Sequence, residues 1–339
     1  MPQTTPDPGR VLGMITGFEQ TAAMLAALSV GLFTAVAEGA GSVDALSASI
    51  GCPKRATRIL ADVLCAHGLL IKTRGVYGLA RDAALYLDRR SAAYIGDAAR
   101  FLASPQKLAL CLEDPEGWMR RGGPAHEANT AANAEVWVDF ARGMGPMMAP
   151  TAEALVKALK ANGLAVRRIL DVAAGHGLFG VEMAKAFPEA SVVALDWAAV
   201  LEVAKATAAA AGVDGRFETL VGDAFTTPLG HNYDLILIPN FLHHFDRATC
   251  VGFLSRAADA LTPKGRVAIV EYVVDEERIS PPAAALFTFS MLAATPGGET
   301  YTPDRADRDV RRGGPWRPRH RNPAGVARDP GHGRADGYG

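Results

Sequence analysis

Apolar positions follow two regimes along this chain of 339 residues. In the first half they recur at helical spacing, and from residue 167 onward they gather into short unbroken runs. Residues 11 to 38, rich in Ala, Leu and Met, are apolar nearly all round, the pattern of helices buried between subunits or domains. Between Val43 and Leu87, Leu46, Ile50, Ile59, Leu60, Val63 and Leu64 keep helical spacing while Gly51-Cys52-Pro53 interrupts it. LLIKTRGVYGLA then predicts a hairpin around Arg74-Gly75. Helix, turn, helix and hairpin in that order predict a winged helix. Residues 92 to 162 are again helical around an irregular centre, EDPEGWMRRGGPAHEANTAAN. Trp137, Phe140, Met144, Met147 and Met148 follow it; they read as core packing one by one, and as a group they suit the wall of a pocket for a flat apolar ligand.

The runs of the second half are RRILDV, ending near Ala173, then SVVALDW, RFETLVGD, YDLILIPN and GRVAIVEYVV, each separated by a helical or loop segment. This alternation predicts an α/β fold with five parallel strands and right-handed crossovers. A ligand belongs at the carboxyl ends of such strands, where Gly175, Asp196, Asp223 and Asn240 all fall.

The first turn carries Gly175, Gly177 and Gly180 at G-x-G-x-x-G spacing, with Asp196 about 20 residues further on to grip ribose hydroxyls. Alone, that pattern fits any dinucleotide. Asp171, inside the first strand, sharpens it: a pyrophosphate gains nothing from a nearby carboxylate, whereas a cationic ligand does. S-adenosylmethionine, with a ribose, an ammonium and a sulfonium but no phosphate, therefore suits the site better than NAD. In NFLHHFD, His243 and His244 stand just past the fourth strand; on an extended strand neighbours point to opposite sides, so one imidazole faces the pocket and no metal site is expected. His243 is the candidate general base, and Glu271, at the end of the fifth strand, is placed to orient it.

Composition narrows the alternatives. The net charge is −1, which gives no global reason to bind nucleic acid or an anionic membrane. Lys54, Arg55 and Arg58 would face DNA in a groove-reading helix, but no basic stripe continues into the wing, and a solvated face accounts for them. No apolar run reaches the roughly 18 residues of a membrane span, and the N-terminus lacks the order of a secretion signal. Cys52, Cys65, Cys111 and Cys250 lack C-x-x-C spacing and read as reduced thiols of a cytoplasmic protein. After Leu292 there is no Leu, Ile, Phe or Met, and from Pro303 the sequence holds nine arginines among Gly, Pro, Asp and Ala. Such a tail builds no core strand and reads as disordered or out of frame rather than as a nucleic-acid arm.

Together these motifs resemble the class I S-adenosylmethionine-dependent O-methyltransferases of the plant caffeate and bacterial polyketide-tailoring type, over roughly residues 11 to 302. The resemblance implies a Rossmann-like methyltransferase sheet, its final strand pair missing or out of frame, preceded by an otherwise all-helical winged-helix dimerisation domain. It divides the chain into a dimerisation domain at 11 to 90, substrate-pocket helices at 91 to 162, a cofactor-binding domain at 163 to 302 and an aberrant tail at 303 to 339. DVAAGHG is similar to the family's D-x-G-x-G-x-G loop, implying cofactor contacts at Asp171, Gly175 and Gly177. It further implies Asp196 with Trp197 at the ribose, and Asp223, Ala224 and Phe225 of GDAF at the adenine. Phe140 and Met144 resemble the Phe and Met of the helix over the cofactor, and Asn240 stands near a cofactor-contacting Lys. FLHHFD puts His243 on the family's catalytic base, VEYV puts Glu271 on an acid flanking it, and Glu299 lies one position from a second such acid. Ala173 and Ala174 depart from the pattern by replacing glycines, and His244 by replacing an Asp. The implied activity is O-methylation of a small, aromatic hydroxylated metabolite by a homodimer. Family members that hydroxylate, decarboxylate or methylate at carbon or nitrogen, and a winged-helix regulator, are the alternatives.

Overall fold

The computed structural model describes residues 7–125 and 134–304. The chain divides after Leu108 into two compact units. The first contains α1 (Pro8–Ile15), α2 (Gly17–Ser29), α3 (Leu32–Ala37), α4 (Val43–Ile50), α5 (Lys54–Ala66), β1 (Leu70–Thr73), β2 (Val76–Leu79), α6 (Arg81–Tyr86) and α7 (Ala98–Leu102). Ser42 starts α4 by accepting the Ala45 N–H, and Gly51, left-handed at φ 67°, ends it. The hairpin turns through Arg74 and Gly75, both at positive φ (51° and 82°), the signature of a tight two-residue turn whose twist matches its strands. Leu32, Phe33, Leu46, Leu64, Leu70 and Tyr77 close the core. The expected winged helix is therefore present, and three of its basic side chains are engaged: Lys54 pairs with Asp44, while Arg58 and Lys72 both pair with Asp62. No described helix alone is long and apolar enough to cross a membrane; α1 and α2 reach that length only together, across a 51° bend.

After α8 (Pro105–Leu112), which spans the division, come α9 (Pro115–Arg121) and α10 (Ala134–Ala161). The stretch expected to be irregular thus contains a helix. Asp114 caps it by accepting the Gly117 N–H, Pro115 stands at its first position, and Gly122 ends it at φ 75°.

The α/β part follows as β3 (Arg168–Val172), α11 (Leu178–Ala186), β4 (Ser191–Asp196), α12 (Ala198–Ala210), β5 (Phe217–Val221), β6 (Tyr233–Pro239), α13 (Arg247–Asp259), β7 (Leu261–Val270) and α14 (Pro282–Ala294). All neighbours are parallel in the order β5-β4-β3-β6-β7, as the alternation predicts. The order reverses between β3 and β6, and that crevice is where ligands of such sheets bind. Alternate residues feed two cores. Ile169, Leu235 and Leu237 pack with Phe179, Met183 and Leu201 on one face, and Leu170, Val172, Ile236 and Ile238 pack with Phe253 and Leu254 on the other. Burial on both faces explains why these strands read as unbroken apolar runs. Beyond β7 a parallel bridge joins Val273 to Tyr301. The tail read from residue 303 lies, past Asp304, outside the described residues.

Candidate active site

At the end of β3 the chain turns through Ala173 (φ 49°), Gly175 (φ 56°) and Gly177 (φ 71°) before α11 begins. A Cβ on Gly177 would stand 2.9 Å from the Ala204 Cβ of α12, so close helix packing demands glycine there. The first turn of α11 leaves backbone N–H groups without helical partners. Here the protein supplies acceptors: His176 Nδ1 takes the Leu178 N–H at 3.1 Å and Asp171 Oδ2 takes the Gly180 N–H at 2.9 Å. Two of the donors that a pyrophosphate would use are thereby occupied.

Asp171 is fully buried, and its Oδ1 has no hydrogen-bond partner among the described residues. Desolvation pushes its carboxyl up to about 8, the Gly180 N–H opposes this, and the Asp196 charge adds to it. Burial lowers His176 to about 4, and its acceptor Nδ1 fixes the neutral Nε2–H tautomer. Asp196, at the tip of β4, accepts the Gly175 N–H through Oδ2 at 2.9 Å and the Trp197 N–H through Oδ1 at 2.7 Å. Desolvation raises its carboxyl too. Each oxygen keeps a lone pair for a ligand hydroxyl. Trp197, half-buried, caps α12.

The helix α10 covers this loop. A Cβ on Gly175 would meet Phe140 Cε1 at 3.9 Å, and one on Gly145 would meet the His176 Cβ at 3.7 Å. Met144 is buried, and the Asn240 amide donates to Met148 Sδ at 3.4 Å. Phe140 stacks edge-on with Trp137, which in turn meets His244 at 5.5 Å. The loop after β5 carries half-exposed Asp223, whose Oδ1 accepts the Phe225 N–H at 2.7 Å. Ala224 is buried, and the Phe225 ring packs on Phe241, Phe245 and Phe253 because those aromatics fill the sheet face beneath it.

The segment after β6 departs from the extended strand that the sequence suggests. Residues Leu242–His244 form a 3-10 turn, so the two imidazoles do not alternate; their centroids lie 4.3 Å apart. One carboxylate organises this turn. Glu271 Oε1 accepts the N–H groups of Phe241 (3.1 Å), Leu242 (2.7 Å) and His243 (3.3 Å), while its Oε2 meets His243 Nδ1 at 2.5 Å. Both side chains are about as buried as core residues, with 3% and 5% exposed. Holding the Nδ1 proton against Glu271 leaves Nε2 as the basic nitrogen. Phe287 meets the His243 ring edge-on at 4.8 Å and stacks on Tyr272 at 4.0 Å. Desolvation, then the Glu271 charge, pushes the Tyr272 phenol up.

Glu299, the expected second acid, lies just past α14. It pairs with Arg278 at 2.9 Å, and both line a cavity of about 460 Å3 along α14 with Thr288, Phe289 and Leu292. Gly298 is the residue of that segment that reaches the histidine turn: a Cβ there would clash with the His243 carbonyl oxygen. No group of three or more His, Cys, Asp or Glu among the described residues is arranged to hold a metal.

Sequence reasoning missed Arg256. From α13 it donates to the carbonyls of Ala224, Phe225 and Thr227, clamping the Asp223 loop. A basic residue in a last helical turn reads as an ordinary solvated charge, and no local pattern marks it.

With this geometry in view, the likenesses to known proteins are specific. Residues 116–307 match the O-methyltransferase domain, and residues 12–89 match the O-methyltransferase dimerisation domain. The 3-hydroxy-5-methyl-1-naphthoate 3-O-methyltransferase of Streptomyces sahachiroi is 30% identical over 306 residues, covering 87% of this chain and 86% of its own. A solved structure from Nostoc punctiforme, assigned as an O-methyltransferase, is 38% identical with a TM-score of 0.87, covering 91% of this chain and 94% of that one. Human N-acetylserotonin methyltransferase, solved with SAM, shares the fold with a TM-score of 0.79 at 22% identity, covering 93% and 94%.

Proposed function

Because this chain belongs to the O-methyltransferase family, whose members depend on S-adenosylmethionine, we propose that it methylates a hydroxyl of a small aromatic metabolite with His243 as general base. The observation that carries this reading is the buried His243–Glu271 pair, in which the carboxylate holds Nδ1 and leaves Nε2 to take a proton.

S-adenosylmethionine, when bound, supplies an electrophilic methyl group. The residues fit it: a bound cation beside the unpartnered Asp171 oxygen would draw that carboxyl into its ionised form, and Asp196 has lone pairs left for ribose hydroxyls. Gly175, Gly177 and Trp197 complete the ribose side, Asp223 with the backbone of Ala224 and Phe225 the adenine side, and Phe140, Met144 and Asn240 the cover. Occupied N–H groups at the start of α11 argue against a pyrophosphate, and therefore against NAD.

A phenol has a pKa of about 10 against about 6.5 for histidine, so complete deprotonation beforehand is uphill by roughly 5 kcal/mol. His243 avoids that cost by accepting the proton as the oxygen is alkylated, and Glu271 stabilises the imidazolium that forms. Trp137, His244, Phe287 and Tyr272 stand around this base and suit a flat acceptor. The naphthoate named for the Streptomyces relative is an acceptor of this kind.

The reading includes a homodimer, supported by the dimerisation-domain match and by Val11, Leu12, Met14 and Ile15, all more than half exposed on α1. It includes a cytoplasmic setting, supported by four free thiols. The test is product mass with hydroxynaphthoates as acceptors: gain of one methyl without oxygen uptake or loss of carbon dioxide supports O-transfer. His243→Ala should lower turnover by at least about 10²; activity kept within about twofold would sink the assignment of the base.

A further inference from the structure

The turn that carries His243 is gripped from two sides, and only one grip involves Glu271. On the other side lies the Leu242 carbonyl, which belongs to the peptide unit that leads into His243. Cys250 Sγ, on α13, donates to it at 3.2 Å. Tyr301 donates its hydroxyl to that same sulfur at 3.2 Å and reaches the carbonyl itself at 3.5 Å. Hydroxyl to thiol to carbonyl is a consistent relay, each group giving one proton. All of it is buried: Leu242 is 3%, Cys250 1% and Tyr301 6% exposed. Tyr301 is itself fixed, since its N–H donates to the Tyr272 carbonyl at 3.3 Å and its carbonyl accepts the Val274 N–H at 2.9 Å.

The peptide joining Leu242 to His243 is therefore held at its oxygen by Cys250 and Tyr301 and at its N–H by Glu271. Rotation of that plane changes the His243 backbone dihedral and carries Nδ1 away from Glu271 Oε2. We propose that Cys250 and Tyr301 are positioning residues for His243, a relay through which the segment ending at residue 302 fixes the orientation of the imidazole. This role rests on the reading of His243 as the base. It requires donors at both positions, where packing alone requires only bulk: Tyr301→Phe keeps the ring and removes the proton, and Cys250→Ser restores a donor that Cys250→Ala lacks.

The experiment is long-range 1H–15N correlation of the histidine side chains in the full chain, with S-adenosylmethionine present as the probe ligand. The His243 signals are assigned by their loss in His243→Gln. In the parent, Nδ1 should carry the proton, with a far-downfield resonance from its short contact to Glu271. In Tyr301→Phe and in Cys250→Ala that resonance should broaden or move, and Cys250→Ser should return it. Calorimetric affinity for S-adenosylmethionine should stay within about twofold throughout, because no cofactor contact changes. Turnover of a hydroxynaphthoate should fall about three- to ten-fold in the single variants, as loss of one neutral hydrogen bond predicts. An unchanged His243 resonance in Tyr301→Phe and in Cys250→Ala would overturn the proposal. Should the resonance move while His243→Gln keeps its turnover, the positioning stands and the general-base reading fails instead.

Discussion

Asp171 dictates Gly180. The acid sits at 0% exposure under the first turn of α11, receives the Gly180 N–H at 2.9 Å, and leaves no room above it: a Cβ on Gly180 would stand 2.8 Å from Oδ2 and 2.9 Å from the Val192 Cγ1. The third glycine of the motif is thus a packing requirement of the carboxylate, not a need for unusual backbone angles. Gly180→Ala should cost about 1–3 kcal/mol by overpacking. Urea unfolding of Gly180→Ala, Asp171→Ala and the double variant tests this. The coupling should be 0.5 kcal/mol or more in the direction of relief, about the size found between residues in contact; strict additivity would mean that Val192 and Phe217 make the crowding.

Two buried groups should shape the pH dependence of stability. Asp171, raised to about 8, binds a proton in the folded state that the unfolded chain has lost above about 4. Its contribution is complete at low pH and is lost as pH rises through 8. His176, lowered to about 4, works oppositely: it contributes above about 6.5 and loses that contribution as pH falls toward 4. Between about 4 and 6.5 the two slopes oppose each other, and from about 6.5 to 8 the His176 slope is gone, so stability should fall there as pH rises. Asp171→Asn should flatten that decline, as read from urea midpoints at pH 6.5 and 8.

How far the sequence disclosed these features depends on the range of the interaction. Strands β3 and β6 were legible because both faces are buried, which produces unbroken apolar runs, and the glycine loop was legible because its demands are local. The turn at His243 was not: nothing local in NFLHHFD, just past the fourth strand, marks a 3-10 turn, and it is the Glu271 carboxylate, 28 residues later, that gathers its three N–H groups. The packing of Phe225 was hidden for a related reason. Its motif predicts a ligand contact and says nothing of the three phenylalanines, distant in sequence, that pack on its ring. Arg256 and Cys250 gave no signal at all, since each acts on carbonyls that only the fold brings near.

Ala173 holds φ at 49°, a left-handed conformation that disfavours a Cβ. Ala173→Gly should therefore raise stability by about 1 kcal/mol, less a few tenths for the added freedom of the unfolded chain. Because the turn precedes Gly175, cofactor affinity should not change by more than about twofold. A lower melting temperature in Ala173→Gly would mean that the methyl group is held by packing worth more than the backbone strain.

Arg256 should matter to the cofactor without touching the reaction. Its guanidinium satisfies three carbonyls of the Asp223 loop, and Arg256→Ala leaves them half-buried without donors. The loop then samples other conformations, and S-adenosylmethionine binding should weaken about five- to tenfold while kcat at saturation holds within about twofold. Arg256→Lys supplies one donor site in place of a fork and should recover only part. A drop in kcat with unchanged KM would refute the assignment.

The sharpest separation of roles comes from Glu271→Gln. The carboxylate presents acceptors in two directions, toward three backbone N–H groups and toward His243 Nδ1. An amide has one acceptor and one donor. If its oxygen keeps the backbone groups, its NH2 faces Nδ1, which must then accept, and the ring proton moves to Nε2, the nitrogen that has to take the proton of the acceptor hydroxyl. The turn survives while the tautomer is wrong. Turnover should fall by about 10² to 10⁴, comparable with His243→Ala and with the loss seen when the acid that orients a catalytic histidine is made an amide. Groups that act as one unit are not additive, so the double variant should be no slower than His243→Ala alone. A double variant slower than either single one by the product of their effects would show that Glu271 contributes to the rate by a route other than His243.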